Sequence, residues 1–542
     1  MTDNLLSIAQ HWLEQDPDTE TREELQAIIN NNNTEELHKR FHGRLQFGTA
    51  GLRGPLQAGS MGMNRVLVAQ AAGGLAAYLK QKNNKPSVVI GCDARKNSYQ
   101  FAKDSAEILQ GAGVTAYLLP EKLPTPVLAY AVRKLGVSAG IMVTASHNPP
   151  EDNGYKVYLG DADDGAQIVP PADSEIASEI EKIAQGDIRD LPRDNHYQQL
   201  DNSVWEDYIA TTALLANQTP VELNYIYTAM HGVGKNTFLK TLEKANYPLP
   251  HLVSEQCDPD PTFPTVNFPN PEEAGALDLA IIAANYINAD FILANDPDAD
   301  RLAVALKDAE GNWKPLHGNT VGCWLAWEAA KAAQSEGKQG TLACSLVSSP
   351  QLAKIAKAYD LVHEETLTGF KWIGRVPNLL FGYEEALGYL VDPQKVHDKD
   401  GISAAMAFLN LALRLKHEGK TFIDYANEYT EKFGAAASGQ VSIRVTNLSR
   451  IGEIMTEVRN SPPQTLVGLP VIAYTDHLQT ERNNNILVFH IEKDGEEARV
   501  IFRPSGTEPK LKIYLDTGAP TQAQADALLE KLISELKQTY TD

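Results

Sequence analysis

The feature of this sequence that most constrains its fold is a repeated local design, in which a short apolar run leads into a polar loop marked by glycine or proline. A helical pattern is expected after each loop, and strands that alternate with helices indicate α/β domains. Ligand loops in such domains lie at the carboxyl ends of the strands. The five runs and their loops are Ser87–Gly91 before CDARKNS, Ala139–Val143 before TASHNPPEDNG, Tyr225–Ala229 before MHGVGKN, Phe291–Ala294 before NDPDADR, and Leu342–Val347 before SSPQ.

The two ends of the chain depart from this design. Residues 1 to about 40 have apolar positions at helical spacing, broken at Asn30–Asn33, and predict a helical extension packed on the first domain. Near the other end, Ile486–Lys493 and Ala498–Arg503 flank Asp494-Gly495, a hairpin signal. A strand over Lys510–Leu515 and a helix from near Thr521 complete a predicted α+β domain.

Length and charge limit the domain count and the partners. The 542 residues suggest about three to four domains, and we place their bounds at 1–200, 201–312, 313–435 and 436–542. Lys and Arg number 48 and Asp and Glu 70, so the formal net charge is −22, which disfavours nucleic acid and anionic lipid as partners. Four cysteines without a CxxC pair, no signal-peptide pattern and no long apolar window predict a cytoplasmic protein that does not enter a membrane.

The strongest local signal is the acidic loop Asp296-Pro-Asp298-Ala-Asp300-Arg301. Three carboxylates at alternating positions converge on one hard cation when a loop curls, because Mg²⁺ prefers oxygen ligands. An EF-hand is excluded, since Arg301 and Leu306 stand where that loop has glycine and glutamate. A solvated acidic turn is the alternative interpretation.

A serine loop, Thr144-Ala-Ser146-His147-Asn148-Pro149, is the second signal, and Lys156 follows ten residues after Ser146. Ser146 is a candidate nucleophile or phosphate carrier, and His147 or Lys156 could move protons or neutralise phosphate. The alternative is an ordinary turn serine. There is no GxSxG elbow, so an α/β-hydrolase has little support.

Two further loops have residues suited to a sugar phosphate. Arg503-Pro-Ser505-Gly506-Thr507 can wrap a phosphate with charged and backbone donors, or be a plain hairpin turn. Glu384 and Glu385, in Gly382–Tyr389, can accept from vicinal sugar hydroxyls, or mark a helix start. Gly232-Val-Gly234-Lys235-Asn236 is only a P-loop fragment, because Ala229 and Asn236 break the pattern.

Taken together, these motifs resemble the α-D-phosphohexomutase superfamily, and within it the branch of bacterial phosphoglucomutases and animal phosphoglucomutase-2-like proteins. The resemblance implies four domains around a central cleft, three α/β and one C-terminal α+β. It spans residues 47 to 514. The motifs that carry it are FGTAGLRG (47–54), TASHNPPEDNGYKVY (144–158), NDPDADR (295–301), TGFKWIG (368–374), GYEEALGY (382–389) and RPSGTEPKLKIY (503–514).

The resemblance also implies a role for each matching residue. Ser146 is the expected phosphoserine, with His147 and Lys156 as proton-handling candidates and Arg53 facing the transferred group. Mg²⁺ is the expected cofactor, with glucose 1,6-bisphosphate as intermediate and activator. The ligands of the Mg²⁺ ion would be Asp296, Asp298, Asp300 and an oxygen on Ser146. The remaining substrate contacts would come from Arg301, Gly369, Lys371, Glu384, Glu385, Arg503, Ser505, Gly506 and Thr507.

The implied activity is a phosphoglucomutase, a monomer or small homo-oligomer that interconverts glucose 1-phosphate and glucose 6-phosphate. Many relatives carry serine in the segment Gly382–Tyr389, here called the sugar loop, where this chain has Ala386. A phosphopentomutase or phosphomannomutase is therefore an alternative. A non-catalytic sugar-phosphate sensor is disfavoured, because a sensor needs no phosphorylatable serine. A phosphatase, the remaining rival, would release inorganic phosphate steadily.

Overall fold

The computed structural model describes residues 2–445, 449–505 and 510–540, apart from the side chains of residues 2 and 3. These residues form two compact units, which are described separately. One contains the described residues up to Pro315 together with Phe370–Arg375 and Gly388–Arg414, and the other contains Leu316–Gly369, Val376–Leu387 and the described residues from Leu415. Within the described ranges, no helix combines the length and the apolar character needed to cross a bilayer.

Three helices open the first unit, α1 (Thr2–Gln15), α2 (Thr19–Asn30) and α3 (Thr34–Phe41). The predicted break at Asn30–Asn33 is confirmed, and a second break, at Asp16–Asp18, was not predicted. Trp12 and Phe41 lie in a buried cluster with Val66 of the following domain, so these helices do pack on it.

The first α/β domain contains a seven-stranded sheet of order β1-β5-β4-β2-β3-β7, with β6 beside β5. Strands β2, β3, β4 and β7 are parallel, whereas β1 and β5 run antiparallel to their neighbours. The helices are α4 (Arg65–Lys82), α5 (Ser98–Gly111), α6 (Thr125–Leu135) and α7 (Ala172–Ile183), and the strands are β1 (Leu52–Pro55), β2 (Ser87–Cys92), β3 (Thr115–Leu118), β4 (Ala139–Val143), β5 (Asp152–Leu159), β6 (Ala166–Gln167) and β7 (Gln198–Gln199).

The second α/β domain has a five-stranded sheet of order β12-β11-β10-β8-β9. Strands β9, β8 and β10 are parallel, and β11 and β12 are antiparallel to their neighbours. The helices are α8 (Ser203–Ala213), α9 (Gly234–Ala245), α10 (Ser254–Cys257) and α11 (Asp278–Ile287), and the strands are β8 (Tyr225–Thr228), β9 (His251–Leu252), β10 (Phe291–Asn295), β11 (Leu302–Lys307) and β12 (Trp313–Pro315).

The prediction that a helix follows each polar loop is wrong for the two loops with the strongest chemical signals. The serine loop leads into β5, where Lys156 lies opposite Met142 of β4. The acidic loop leads into β11, where Leu302 lies opposite Asn295 of β10. Both strands are almost fully buried and pair antiparallel with the strand before the loop, and burial on both faces favours a strand over an amphipathic helix. The chain therefore turns back at each loop.

The third α/β segment has three parallel strands in the order β14-β13-β15, within the second unit. Its elements are α12 (Gly318–Ser335), β13 (Thr341–Ser345), α13 (Gln351–Ala358), β14 (Val362–Thr366), α14 (Phe370–Ile373), β15 (Leu379–Glu384), β16 (Gly388–Leu390), α15 (Gly401–Glu418) and α16 (Phe422–Phe433). Of these, α14, β16 and most of α15 belong to the first unit.

In its described residues, the C-terminal domain is an antiparallel sheet of order β17-β22-β21-β20-β19-β18 with two α-helices. The predicted hairpin at Asp494-Gly495 is confirmed, with positive φ at both residues. The elements are β17 (Ala435–Arg444), α17 (Ser449–Asn460), β18 (Thr465–Leu466), β19 (Leu469–Asp476), β20 (Leu487–Lys493), β21 (Glu496–Pro504), β22 (Lys510–Ala519) and α18 (Gln522–Tyr540).

Candidate active site

Ser146 lies just after β4, at the tip of the serine loop, and is almost fully buried. Its backbone φ is +53°, in the left-handed region that residues other than glycine seldom adopt. The amide donates to Thr144 Oγ1 at 2.9 Å, which holds the turn. The hydroxyl donates to Asp296 Oδ2 at 2.9 Å and lies 3.1 Å from His147 Nδ1. The serine hydroxyl is therefore aimed at the acidic loop of the neighbouring domain.

The acidic loop follows β10 and brings its three carboxylates together, as the sequence predicts. Asp296, Asp298 and Asp300 are all fully buried, and one oxygen of each lies within 4.8 Å of the others. The turn is tight, with a φ of +55° at Ala299. Burial, which a solvated acidic turn would lack, argues against that alternative interpretation.

Two buried lysines contact these carboxylates. Lys156 Nζ donates to Asp298 Oδ2 at 2.7 Å and to Asp300 Oδ2 at 2.9 Å. Lys399 Nζ lies 2.8 Å from Asp300 Oδ2. Lys399 was missed by the sequence interpretation. The signal that could have found it is the HDKDG run before α15, where a lysine stands between two fully buried aspartates.

The same carboxylates keep acceptor capacity for a cation. Among the described residues, Asp298 Oδ1 and Asp300 Oδ1 are buried without a hydrogen-bond partner, and Arg301 Nε approaches the latter only to 3.9 Å. Burial and the charges of Asp298 and Asp300 raise the pKa of Asp296 well above its ordinary value. A buried cluster of hard oxygen donors, two of which have no hydrogen-bond partner among the described residues, fits a divalent cation such as Mg²⁺.

Further predicted residues also lie in the first unit. Burial and the guanidinium groups of Arg301 and Arg53 lower the pKa of His147 well below its ordinary value, so its ring is neutral near pH 7. Arg53 Nη1 donates to Asn148 Oδ1 at 3.1 Å, within the serine loop. Lys371, on α14, donates to Thr49 Oγ1 at 2.5 Å. The first unit therefore contains the serine loop, the acidic loop and several of the predicted cationic residues.

The P-loop fragment around Gly232 has a packing role. A Cβ on Gly232 would lie 2.3 Å from the Cα and O atoms of Pro297, in the acidic loop. The amide of Val233 donates to that same carbonyl oxygen at 2.8 Å. The glycine is needed because the two backbones touch, and the fragment supports the loop that bears the three aspartates.

Gly232→Ala should therefore disturb the acidic loop. We expect a loss of about 1–3 kcal/mol in the free energy of unfolding, because the added methyl group overpacks a backbone contact. Stabilisation by Mg²⁺ should also shrink, measured as the Tm difference with and without the ion. Gly452→Ala is the control, because no atom lies within 4 Å of its Cβ position and alanine favours the helix there. A Gly232→Ala protein with wild-type Tm and Mg²⁺ response would contradict this role.

The sugar-loop glutamates lie in the second unit and differ in environment. Glu384 is partly exposed, and its Oε1 accepts from the amide of Gly369 at 2.6 Å. Glu385 is buried, and its Oε2 accepts from the hydroxyls of Ser345 and Ser348 at 3.2 and 3.1 Å. The helix-start interpretation is wrong, since these residues end β15 and begin the following turn. Glu385 fixes the loop from inside, which leaves Glu384 better placed to meet a ligand.

The segment Arg503–Thr507, predicted to bind the phosphate that does not react, is described in the structure only up to Ser505. Arg503 lies on β21, and its Nη1 donates to the hydroxyl of Tyr514 at 3.2 Å. The amide of Ser505 donates to the carbonyl of Lys510 at 2.9 Å. The predicted phosphate contacts Gly506 and Thr507 lie outside the described residues.

Comparison with known proteins agrees with this architecture. The phosphoglucomutase/phosphomannomutase family matches in four domains. The matches are alpha/beta/alpha domain I over residues 44–187, alpha/beta/alpha domain II over 204–311, alpha/beta/alpha domain III over 317–433, and the C-terminal domain over 488–534. With this fold and these matches, the chain belongs to the α-D-phosphohexomutase superfamily.

Individual relatives carry several substrate names. A Haemophilus influenzae protein named "Probable phosphomannomutase" is 63% identical over 86% of this chain and 96% of its own length. A Saccharomyces cerevisiae phosphoribomutase is 35% identical, over 98% and 95%. A Staphylococcus aureus phosphoglucomutase is 34% identical, over 95% and 94%. Since all of these are mutases, the chain is a mutase, an enzyme of the isomerase class.

Solved structures show the same fold. A phosphoglucomutase/phosphomannomutase family protein from Burkholderia thailandensis superposes with a TM-score of 0.68 at 18% identity, over 92% of this chain and 98% of that one. The three α/β domains and the C-terminal domain implied by the sequence motifs are thereby confirmed.

Proposed function

We propose that this enzyme interconverts glucose 1-phosphate and glucose 6-phosphate through a phosphorylated Ser146. One observation carries the proposal: the Ser146 hydroxyl donates to Asp296, and Asp296 lies in a buried cluster of three carboxylates, two oxygens of which have no hydrogen-bond partner in the described part of the chain. A serine alone is a common turn residue. A serine aimed at a cation site from a strand tip is suited to carry a phosphoryl group.

The proposed reaction has two transfers. In the first, the Oγ–P bond of phosphorylated Ser146 breaks and Oγ takes up a proton, while a bond forms from phosphorus to the free sugar hydroxyl, whose proton passes to a base. The product is glucose 1,6-bisphosphate. After this intermediate reorients in the site, its other phosphoryl group returns to Ser146 Oγ, which gives up its proton to a base, and the sugar oxygen regains a proton. No phosphate is released.

Residues of the first unit supply the charge and the proton transfer in this scheme. His147 is the proposed proton acceptor, because its Nδ1 lies 3.1 Å from Ser146 Oγ. Lys156 is held by two carboxylates and is proposed to neutralise the phosphoryl oxygens and to share in proton handling. Arg53 and Arg301 are proposed to contact the phosphoryl group. Asp296, Asp298 and Asp300 would hold Mg²⁺, which when bound neutralises charge on the phosphoryl oxygens.

The sugar contacts are proposed for the second unit and for α14. Glu384, Gly369 and Lys371 are the proposed sugar-side residues, and Arg503 and Ser505 the proposed contacts of the phosphate that does not react. A carboxylate such as that of Glu384 accepts from two neighbouring hydroxyls, which suits a hexose with vicinal O–H groups.

Mannose phosphate is the second candidate substrate, and the observation that favours it is the 63% identical relative named "Probable phosphomannomutase". Ala386 replaces a serine of many relatives, so the loop has one hydroxyl fewer to distinguish the configuration at O2. The test is relative kcat/KM for glucose, mannose, ribose and deoxyribose 1-phosphates with a trace of the matching bisphosphate. A preference for another sugar by more than about tenfold, equal to about 1.4 kcal/mol, would overturn the glucose assignment.

Glu384→Gln tests the sugar loop. Glutamine keeps an oxygen to accept from the Gly369 amide, so the substitution removes charge with little change in loop position. We expect kcat/KM for glucose 1-phosphate to fall by about one to two decades, the effect of losing charged hydrogen bonds worth about 1.5–3 kcal/mol. Phosphorylation of Ser146 should persist by intact mass. Glu364→Gln, at an exposed position on β14, is the control, and unchanged turnover in Glu384→Gln would refute the role.

A further inference from the structure

Arg95 lies in the CDARKNS loop after β2, which the proposed chemistry does not use. It is 4% exposed, and its guanidinium group faces the backbone of the serine loop. The guanidinium group makes four hydrogen bonds, three to carbonyl oxygens of the serine loop and one to the carbonyl oxygen of Asp152 at the start of β5. Nη2 donates to Ser146 at 2.7 Å and to Asn148 at 2.5 Å, and Nη1 donates to Pro149 at 2.7 Å and to Asp152 at 3.1 Å.

These four bonds have a conformational consequence. Ser146 is held at a φ of +53°, a region that a residue other than glycine keeps only where the surrounding structure enforces the conformation. The carbonyl of Ser146 itself is one of the four acceptors. The N–H donors of a planar guanidinium group point in fixed directions. Hydrogen bonds from Arg95 therefore fix the orientation of the loop carbonyls as well as their distance from the guanidinium group.

The rest of the Arg95 side chain is held in place by its own neighbours. Asp93 Oδ2 lies 3.5 Å from Nε, and the Asp93 carboxylate also accepts from the backbone amide of Arg95 at 2.9 Å. The ring of Phe263, from the second domain, lies 4.9 Å from the guanidinium carbon. Because both Nη atoms donate to backbone carbonyl oxygens, Arg95 restricts the backbone conformation of the serine loop.

We infer that Arg95 is a positioning residue, which fixes the backbone of the serine loop so that Ser146 Oγ points at Asp296 and at the incoming phosphoryl group. This inference rests on the proposed role of Ser146 as the phosphoryl carrier. It assigns to Arg95 an effect on the transfer step and none on the affinity for the sugar phosphate.

Arg95→Lys is the test, because lysine keeps the charge and loses the planar fork. We expect kcat to fall by about ten- to a hundredfold, the cost of misplacing a reacting group, with KM changed by less than about twofold. The rate of Ser146 phosphorylation by glucose 1,6-bisphosphate, followed by intact mass, should fall by the same factor. Arg65→Lys is the matched control. Arg65 binds both oxygens of Asp104, at 2.7 and 2.8 Å, and has no contact with the serine loop among those described.

The outcomes separate this inference from the proposed function. A wild-type enzyme that is not phosphorylated at Ser146 would overturn both. A phosphorylated wild type beside an Arg95→Lys variant with the wild-type rate would overturn the positioning role alone. So would a loss of kcat that Arg65→Lys reproduces at equal loss of Tm, since the effect would then be general destabilisation.

If Arg95→Lys does not fold, Phe263→Leu replaces it, because loss of the ring that packs on the guanidinium group lets that group shift away from the four carbonyl oxygens it binds. Here kcat and the phosphorylation rate should fall together by more than about twofold, with KM unchanged. Wild-type values of kcat and phosphorylation rate would refute the inference.

Discussion

Ser146→Ala should lower the turnover of glucose 1-phosphate by at least about four decades, the scale seen when a nucleophile is removed. The variant has no oxygen to carry the phosphoryl group. The fold should persist, because the bonds from the loop backbone to Thr144 and Arg95 do not involve the hydroxyl, and the lost bond to Asp296 is worth about 1 kcal/mol.

Intact mass provides the direct measurement. Wild-type enzyme incubated with glucose 1,6-bisphosphate should gain one phosphoryl group, and Ser146→Ala none. Ser105→Ala is the control, a fully buried serine on α5 whose hydroxyl donates to the carbonyl of Phe101. Stoichiometric phosphate at a different serine would require a new assignment of the carrier.

Asp298→Asn should weaken Mg²⁺ binding by at least about a hundredfold, because substitution of residues that only support metal ligands already costs about 10- to 100-fold. The oxygen Oδ2 of Asp298 accepts from both Lys156 and Thr125, so the asparagine oxygen must take that place. The amide nitrogen, a donor, then occupies the unpartnered Oδ1 position, where a cation needs an acceptor.

Calorimetric titration with Mg²⁺ and the Mg²⁺-dependent rise in Tm measure this effect without reference to turnover, and activity should fall in parallel. Asp308→Asn is the control in the same domain, because Asp308 accepts from the amides of Glu310 and Asn312 in a surface turn. An Asp298→Asn protein with wild-type Mg²⁺ affinity would show that the acidic loop is not the cation site.

Local patterns were sufficient to predict much of this fold. The buried apolar runs, the Asn30–Asn33 break and the Asp494-Gly495 hairpin follow from short-range rules of burial and turn chemistry. The same rules placed Ser146 and the three aspartates in strand-end loops. Those predictions concern residues that are close in sequence, where backbone geometry restricts which turn or strand the segment can form.

Contacts between segments that are distant in sequence could not be predicted from these short-range rules. Lys399 follows Asp300 by a long stretch of chain, and only the folded backbone brings its ammonium group to that carboxylate. Glu385 has the same residue type as Glu384, and the serines that bury it come from a different strand end. The reversal of the chain into β5 and β11 was missed because a short apolar run does not by itself distinguish strand from helix.

The positive φ of Ser146 also restricts which amino acid can carry the phosphoryl group in this fold. Threonine offers the same hydroxyl chemistry, but its branched Cβ makes a φ of +53° a true outlier. An exchange of serine for threonine, usually mild among phosphate acceptors, would here need the whole turn to change. The identity of the phosphoryl acceptor is thus set by the backbone conformation as much as by the reaction.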